Sequence, residues 1–353
     1  MSKIIINKSN YFHNLSVISK HVNGKENVTV VLKDNAYGHG LVEIASLACE
    51  FGITKAAVQT IEDGIKIESY FKEILILADV SAHTYSHTFH ITINELNDIS
   101  KLSKNTNVHL KIDTGMHRNG ISQNELKEAI YRIKAQKLNL KGVYTHYRSA
   151  DELSCEYFCQ KMEFKNIKAE VKNICEELLL PIPNFHSANS SGVFRDKNFN
   201  EDMVRVGIAS YGYLETNNVY QIPNLKPVLS LYAKRISSRK LFINEKLGYG
   251  GKFKAKKEMY ISTYDIGYGD GFLRVNENQK YTTPEGFSIL GRVSMDNMSL
   301  DSTDDEICLF DDVRALAKIH GTITYEILTS LKENIKKEIL WQKYFVCLFY
   351  YQH

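Results

Sequence analysis

The sequence predicts an α/β protein, an N-terminal (β/α)8 barrel of the TIM type followed by a C-terminal, mainly β domain. Two patterns carry that prediction. Over the first 210 residues about eight short apolar, β-branched runs alternate with longer segments of helical period, as in a parallel sheet wound with helices. After about residue 215 the long helical segments stop, and strand-like runs follow one another across short polar turns. A length of 353 residues suits one large domain and one smaller one.

Taken in order, the opening KIIINKS reads as a strand, and it is expected to join the C-terminal domain rather than the barrel. Barrel strands are expected at VTVVLK (28–33), AAVQT (56–60), EILILAD (73–79), HITIN (90–94), NVHLKID (107–113), GVYTHY (142–147), IPNFHSA (182–188) and MVRVGIA (203–209). Several lack strict alternation, as strands covered on both faces do. Between them lie helical stretches such as LVEIASLACEFG, which ends on a glycine suited to a C-cap, and QNELKEAIYRIKAQ. LKPVLSLYAKRISSRK, KEMYISTYDIGYGDG and FSILGRVSMDNMSL supply the later strands. The expected division is therefore a barrel over 8–215 and a β domain over 216–353, joined by strand 1–7. There is no internal repeat and no low-complexity linker.

Composition excludes more than it suggests. With 43% hydrophobic and 24% charged residues, and 44 basic against 41 acidic side chains, the net charge is only +3. Lysines are spread along the chain without interleaved aromatics, which argues against a nucleic-acid surface. The N-terminal apolar run is three residues long, too short for a signal core or membrane span, so a cytoplasmic protein is expected. Six cysteines are scattered, and Cys155 and Cys159 lack a second ligand pair for zinc, so no metal and reduced structural thiols are expected.

In such barrels the active site is built where strands hand over to loops at their C-terminal ends. Here those junctions are polar: Lys33 with DNAYGHG, KIDTGMHRNG, THYRSADE, HSANSSG, and Arg205 before GIASYG. Five polar clusters on one rim are more than solvation requires. Lys33 ends an apolar strand, where burial would lower its pKa and leave an amine able to form a Schiff base. The plainer alternative is a lysine whose stem packs at the barrel mouth while its ammonium reaches water.

VVLKDNAYGHG resembles the cofactor-lysine signature of the alanine racemase family. Segments 107–120, 142–152, 186–192, 203–212, 247–271 and 289–301 resemble its other signatures in the same order, so the resemblance covers almost the whole chain. It implies that pyridoxal 5'-phosphate is carried by Lys33. The phosphate would be held by Tyr37, by Ser190 and by the backbone amides of Gly207 and Ile208, with Asn189 alongside. Arg205 would face the pyridine nitrogen, oriented by His146, and would leave the cofactor a weaker electron sink that favours return of a proton at Cα. Arg118 resembles the arginine that reaches the phenolic oxygen and the substrate carboxylate. Lys111 resembles a position carbamylated in some members, with an ordinary strand-end lysine as the alternative.

Racemisation needs a proton taken from one face of Cα and returned to the other, so a second base is required. Tyr249, flanked by glycines in KLGYGGKF, resembles the family's second base, acting from a partner subunit of a homodimer with shared active sites. Met295 and Asp296 resemble substrate-carboxylate contacts, and Tyr268 a tyrosine lining the entry. The implied activity interconverts L- and D-alanine, supplying D-alanine for peptidoglycan. A broader amino-acid or serine racemase is one alternative; a non-catalytic pyridoxal-phosphate carrier, which would lack the second domain and Tyr249, is another. Three departures stand out: Ser294 where many members have cysteine, His117 and Asn119 beside Arg118, and a C-terminus in which Trp341 replaces a phosphate-binding tyrosine unless Tyr344 substitutes.

Overall fold

The computed structural model describes residues 1–80, 86–196, 199–217, 222–275 and 280–340. Trp341, Tyr344 and Cys347 lie outside the described residues. The chain divides into two compact units, Asn14–Leu225 and a second made of residues 1–13 with the segment from Lys226 onward.

β1 (Lys3–Asn7) belongs to the second unit. The first unit holds eight parallel strands: β2 (Val28–Val31), β3 (Lys55–Val58), β4 (Glu73–Ile76), β5 (Phe89–Ile93), β6 (Asn107–Lys111), β7 (Asn139–Tyr144), β8 (Asn184–His186) and β9 (Val204–Val206). Their ladder runs β8-β7-β6-β5-β4-β3-β2-β9. The two ends of this ladder approach each other: Arg205 N–H donates to the Ala188 carbonyl at 3.0 Å, and Asp202 N–H to that of Phe185 at 3.1 Å. The result is an eight-stranded near-barrel, a parallel sheet curled until its two end strands meet through these bonds.

Every expected barrel strand is present, shortened at its C-terminal end as the chain leaves the ladder for the rim. The helix Leu41–Phe51 ends on Gly52 in the left-handed conformation (φ 100°), which lets its last carbonyls be capped. The helix Leu126–Ala135 buries Leu126, Ala129, Ile130 and Ile133, one stripe at helical spacing.

In the second unit β10 (Leu229–Leu241) is the spine. β11 (Lys246–Leu247) and β12 (Phe253–Lys254) form a small hairpin, followed by β13 (Met259–Tyr264), β14 (Met298–Leu300), β15 (Glu306–Phe310) and β16 (Lys336–Leu340). β1 pairs antiparallel with β10 and parallel with β16, so the first seven residues complete the sheet of the C-terminal half. Two short helices, Arg314–His320 and Thr324–Thr329, were not legible as separate elements in the sequence. Among the described residues Cys49, Cys155 and Cys159 are exposed free thiols, and Cys175 and Cys308 are buried ones. Among the described residues no helix is long and apolar enough to cross a membrane.

Candidate active site

Lys33 follows the C-terminal end of β2, with 39% of its side chain exposed and its Nζ 3.7 Å from Asp34. Lys33 is half-buried rather than fully buried, because the chain leaves the strand and turns sharply directly after Leu32. It does so through an unusual device. Asp34, Asn35, Ala36 and Tyr37 all take φ near +53°, a left-handed turn that ordinary residues enter only at about 1–2 kcal/mol each. Hydrogen bonds hold it: Ala36 N–H donates to Leu32, Gly38 N–H to Asp34, and Leu41 N–H to the Asn35 side chain at 2.8 Å. Sustained strain of this kind marks a place where side-chain direction matters.

The direction it sets is that of Tyr37. This side chain is buried, packs on Tyr211 with ring centroids 5.1 Å apart, and ends over the backbone of Gly207. A Cβ on Gly207 would lie 2.7 Å from Tyr37 Cζ and closer still to its Oη. Burial pushes the Tyr37 hydroxyl up, with Asp34 adding to it, so the group stays a neutral donor. Beside it the buried Ser190 hydroxyl accepts from Gly207 N–H at 3.2 Å and from Ala209 N–H at 3.3 Å. Asn189 instead caps the short helix Ser190–Arg195, its Oδ1 accepting from Gly192 N–H at 2.9 Å. Ile208 is buried directly after Gly207.

Arg205, on β9, is buried. Its Nη1 donates to His186 Nδ1 at 2.6 Å, and its Nη2 to the Thr145 carbonyl at 2.8 Å and, more weakly, to His146 Nδ1 at 3.4 Å. The guanidinium lies over the Tyr144 ring, 4.7 Å from its centroid. Among the described residues no carboxylate is within ion-pair distance of it. His146, expected to be its main partner, is thus the longer contact, and His186 is the one sequence reasoning missed, although HSANSSG begins with it. Burial first, then the Arg205, Lys111, Arg118 and Lys33 cations, hold His146 down at about 3. Four cations from three strands, β2, β6 with its following loop, and β9, therefore converge on one neutral imidazole.

Lys111 ends β6, nearly buried, with its Nζ 5.9 Å from the Tyr144 ring centroid. Burial, with Arg118 and Arg205, brings it down to about 8. Arg118 is exposed in the loop after β6, next to His117, which pairs with Asp113 at 3.4 Å.

The remaining expected residues lie in the second unit. Tyr249 is 70% exposed on a turn where Gly248 and Gly250 take φ of 67° and 69°, a conformation that needs glycine. Tyr268 and Met295 are brought together, Tyr268 N–H donating to the Ser294 carbonyl and Gly269 N–H to that of Met295 at 2.7 Å. Both side chains, and Asp296, are exposed.

Both halves of the chain match family models: residues 6–215 that of the alanine racemase N-terminal domain, and residues 228–339 that of the alanine racemase C-terminal domain. The chain belongs to the alanine racemase family. An alanine racemase of Campylobacter curvus is 44% identical over 340 residues, spanning 96% of this chain and 100% of that protein. One from Nitratiruptor is 44% identical over 325 residues, with 92% and 95% covered. Among solved structures, the Bacillus anthracis alanine racemase with bound L-Ala-P is similar at a TM-score of 0.84 and 26% identity, covering 96% of this chain and 95% of that one. The barrel and the mainly β half described above are the two domains of this family.

Proposed function

We propose that this chain interconverts L- and D-alanine with pyridoxal 5'-phosphate, residues 8–215 forming the cofactor-binding barrel and residues 1–7 with 216–353 the second domain. The residues fit the cofactor. A cradle that a single Cβ would fill, between Gly207 and the Tyr37 hydroxyl and beside the Ser190 hydroxyl, offers neutral donors of the kind that bind a phosphate near the last strands of such a barrel. Tyr37, Ser190, Gly207 and Ile208 would hold that end, and Lys33 would carry the cofactor covalently. Bound pyridoxal phosphate supplies an electron sink that makes the Cα–H of an amino acid acidic.

The observation that carries the reading is Arg205, a buried cation with no ion-paired carboxylate among the described residues, converging with Lys33 on His146. A guanidinium keeps its proton and so opposes protonation of a pyridine nitrogen placed beside it. That favours returning the proton at Cα over losing the amino group. Lys33 Nζ moves the proton at one face of Cα, and Tyr249 of the partner subunit at the other; the exposure of Tyr249 is consistent with a group completed by a second chain in a homodimer. Arg118 and the backbone amide of Met295 orient the substrate carboxylate, with Asp296 beside them, and Tyr268 lines the entry. Lys111, with an amine near neutrality of charge at mildly alkaline pH, is suited to carbamylation and to pairing with Arg118. We place the enzyme in the cytoplasm, with D-alanine for peptidoglycan as its product. Purified protein loaded with pyridoxal phosphate should convert L-alanine to the racemate, followed by loss of optical activity. Cofactor bound at Lys33 without racemisation would refute the proposal.

A further inference from the structure

Beneath Arg205 a line of three histidines runs down the inside of the barrel. His186 ends β8, His109 lies within β6 and His90 opens β5, and all three are buried. His186 Nε2 is 2.9 Å from His109 Nδ1, and His109 Nε2 is 3.0 Å from His90 Nδ1. Glu73, at the start of β4, closes the line, its Oε1 3.5 Å from His90 Nδ1 and 3.8 Å from His109 Nε2. Room for this line is built in: Gly142 on β7 has no side chain where a Cβ would overlap the His109 ring, and the Tyr144 ring stacks on His186 at 4.7 Å.

Donor and acceptor roles in this line follow from one fact. Arginine has only donors, so His186 Nδ1 must present its lone pair to Arg205. A neutral His186 then carries its proton on Nε2 and donates to His109 Nδ1. His109 in turn carries its proton on Nε2 and donates toward His90 and Glu73. Burial, with Arg205, Lys55 and neighbouring imidazoles, holds His109 and His186 well below the ordinary histidine range, so neither gains a second proton. Glu73, His90 and His109 also bring three ligand atoms within 4.8 Å of one another, as a metal site would. A metal on His109 Nε2 would reverse every proton in the line and turn His186 Nδ1–H against the Arg205 donor. The Lys55 and Lys141 charges acting on Glu73 oppose a cation there as well.

We propose that His186 and His109 are positioning residues for Arg205, a line of single-tautomer imidazoles that fixes the guanidinium without a counter-charge. This rests on the pyridoxal-phosphate reading above, since only there does the orientation of Arg205 affect turnover. The test is nitrogen NMR of the full-length holoenzyme with labelled histidine, together with kinetics of His109→Phe and Gly142→Ala. In the parent protein His186 and His109 should be neutral with protons on Nε2, and zinc alone should leave them so. In folded His109→Phe, His186 should show mixed tautomers, and kcat should fall roughly 10- to 100-fold, as for other residues that orient a functional group through a hydrogen bond, with KM for alanine little changed. Should His109→Phe not fold, Gly142→Ala displaces the same ring and should reproduce the loss. A proton on His186 Nδ1, a charged His109, a zinc-bound His109 or unchanged kcat in the folded variants would overturn the proposal. The tautomers are read without substrate, so a chain that shows them yet fails to racemise alanine sinks the proposed function and leaves the imidazole line standing.

Discussion

Substituting Gly207 by alanine isolates the phosphate cradle with one methyl group. Gly207 has φ of −108°, outside the left-handed region that favours glycine, so the clash of the added methyl group is the effect to read. The new Cβ would lie 2.7 Å from Tyr37 Cζ, and the neighbour is a rigid ring, buried against Tyr211 and anchored by four residues in a left-handed turn. If the ring holds, overpacking costs about 1–3 kcal/mol of stability. If the ring yields, its hydroxyl leaves the cradle, and one hydrogen bond to a charged phosphate, about 1.5–3 kcal/mol, is lost. The second outcome weakens cofactor affinity roughly 10- to 150-fold. Titrating apoprotein with pyridoxal phosphate by absorbance, beside a thermal melt, separates the two. Tyr37→Phe is the comparison, removing the same hydrogen bond without the clash. A Gly207→Ala protein with both its melting temperature and its cofactor Kd unchanged would refute the cradle.

Three further outcomes follow from the same geometry. Lys111 is depressed from 10.5 to about 8, so the folded state binds fewer protons than the unfolded state between those values. Stability should therefore rise with pH over that window in carbonate-free buffer, and labelled bicarbonate should produce a carbamate NMR signal that Lys111→Ala abolishes. His39 and His90 are held near 4 and His146 near 3, all by burial first, so acid protonates them only on unfolding. Each should remove about 1.4 kcal/mol of stability per pH unit as pH falls from 6.5 toward 4, a slope that urea titrations would reveal and a pH-independent midpoint would contradict. Asn189→Ala removes the cap on Ser190–Arg195 and should cost about 1 kcal/mol in denaturant unfolding, while Asn189→Ser should recover most of it.

The barrel was legible because its strands are β-branched runs bounded by loops, and VTVV, EILI and FHITI read the same way in isolation as in the fold. Strand ends were less so. GVYTHY was expected over 142–147, but β7 begins at Asn139 and ends at Tyr144, because Asn139 and Lys141 face solvent and Thr145–Tyr147 have already bent to the rim. Within the site, KDNAYGHG marked the right loop without revealing its shape. Asp34 and Asn35 tolerate positive φ, but Ala36 and Tyr37 adopt it only because the hydrogen bonds of the turn and the packing of Tyr37 against Gly207 and Tyr211 hold them there. Lys33 is only half-buried for the same reason, since the chain leaves the strand at that turn. His90 and His109 were invisible as a group: each is one polar residue in an alternating strand, and they meet because β5 and β6 pair side by side in a register that the sequence does not display.

We propose that two bases act on opposite faces of Cα, Lys33 from the barrel and Tyr249 from the second domain. Tyr249→Phe, assayed with alanine while cofactor absorbance is followed, tests it most directly. Racemisation should fall roughly 10²- to 10⁴-fold with the cofactor still bound. Racemisation at the parent rate in that variant would contradict it.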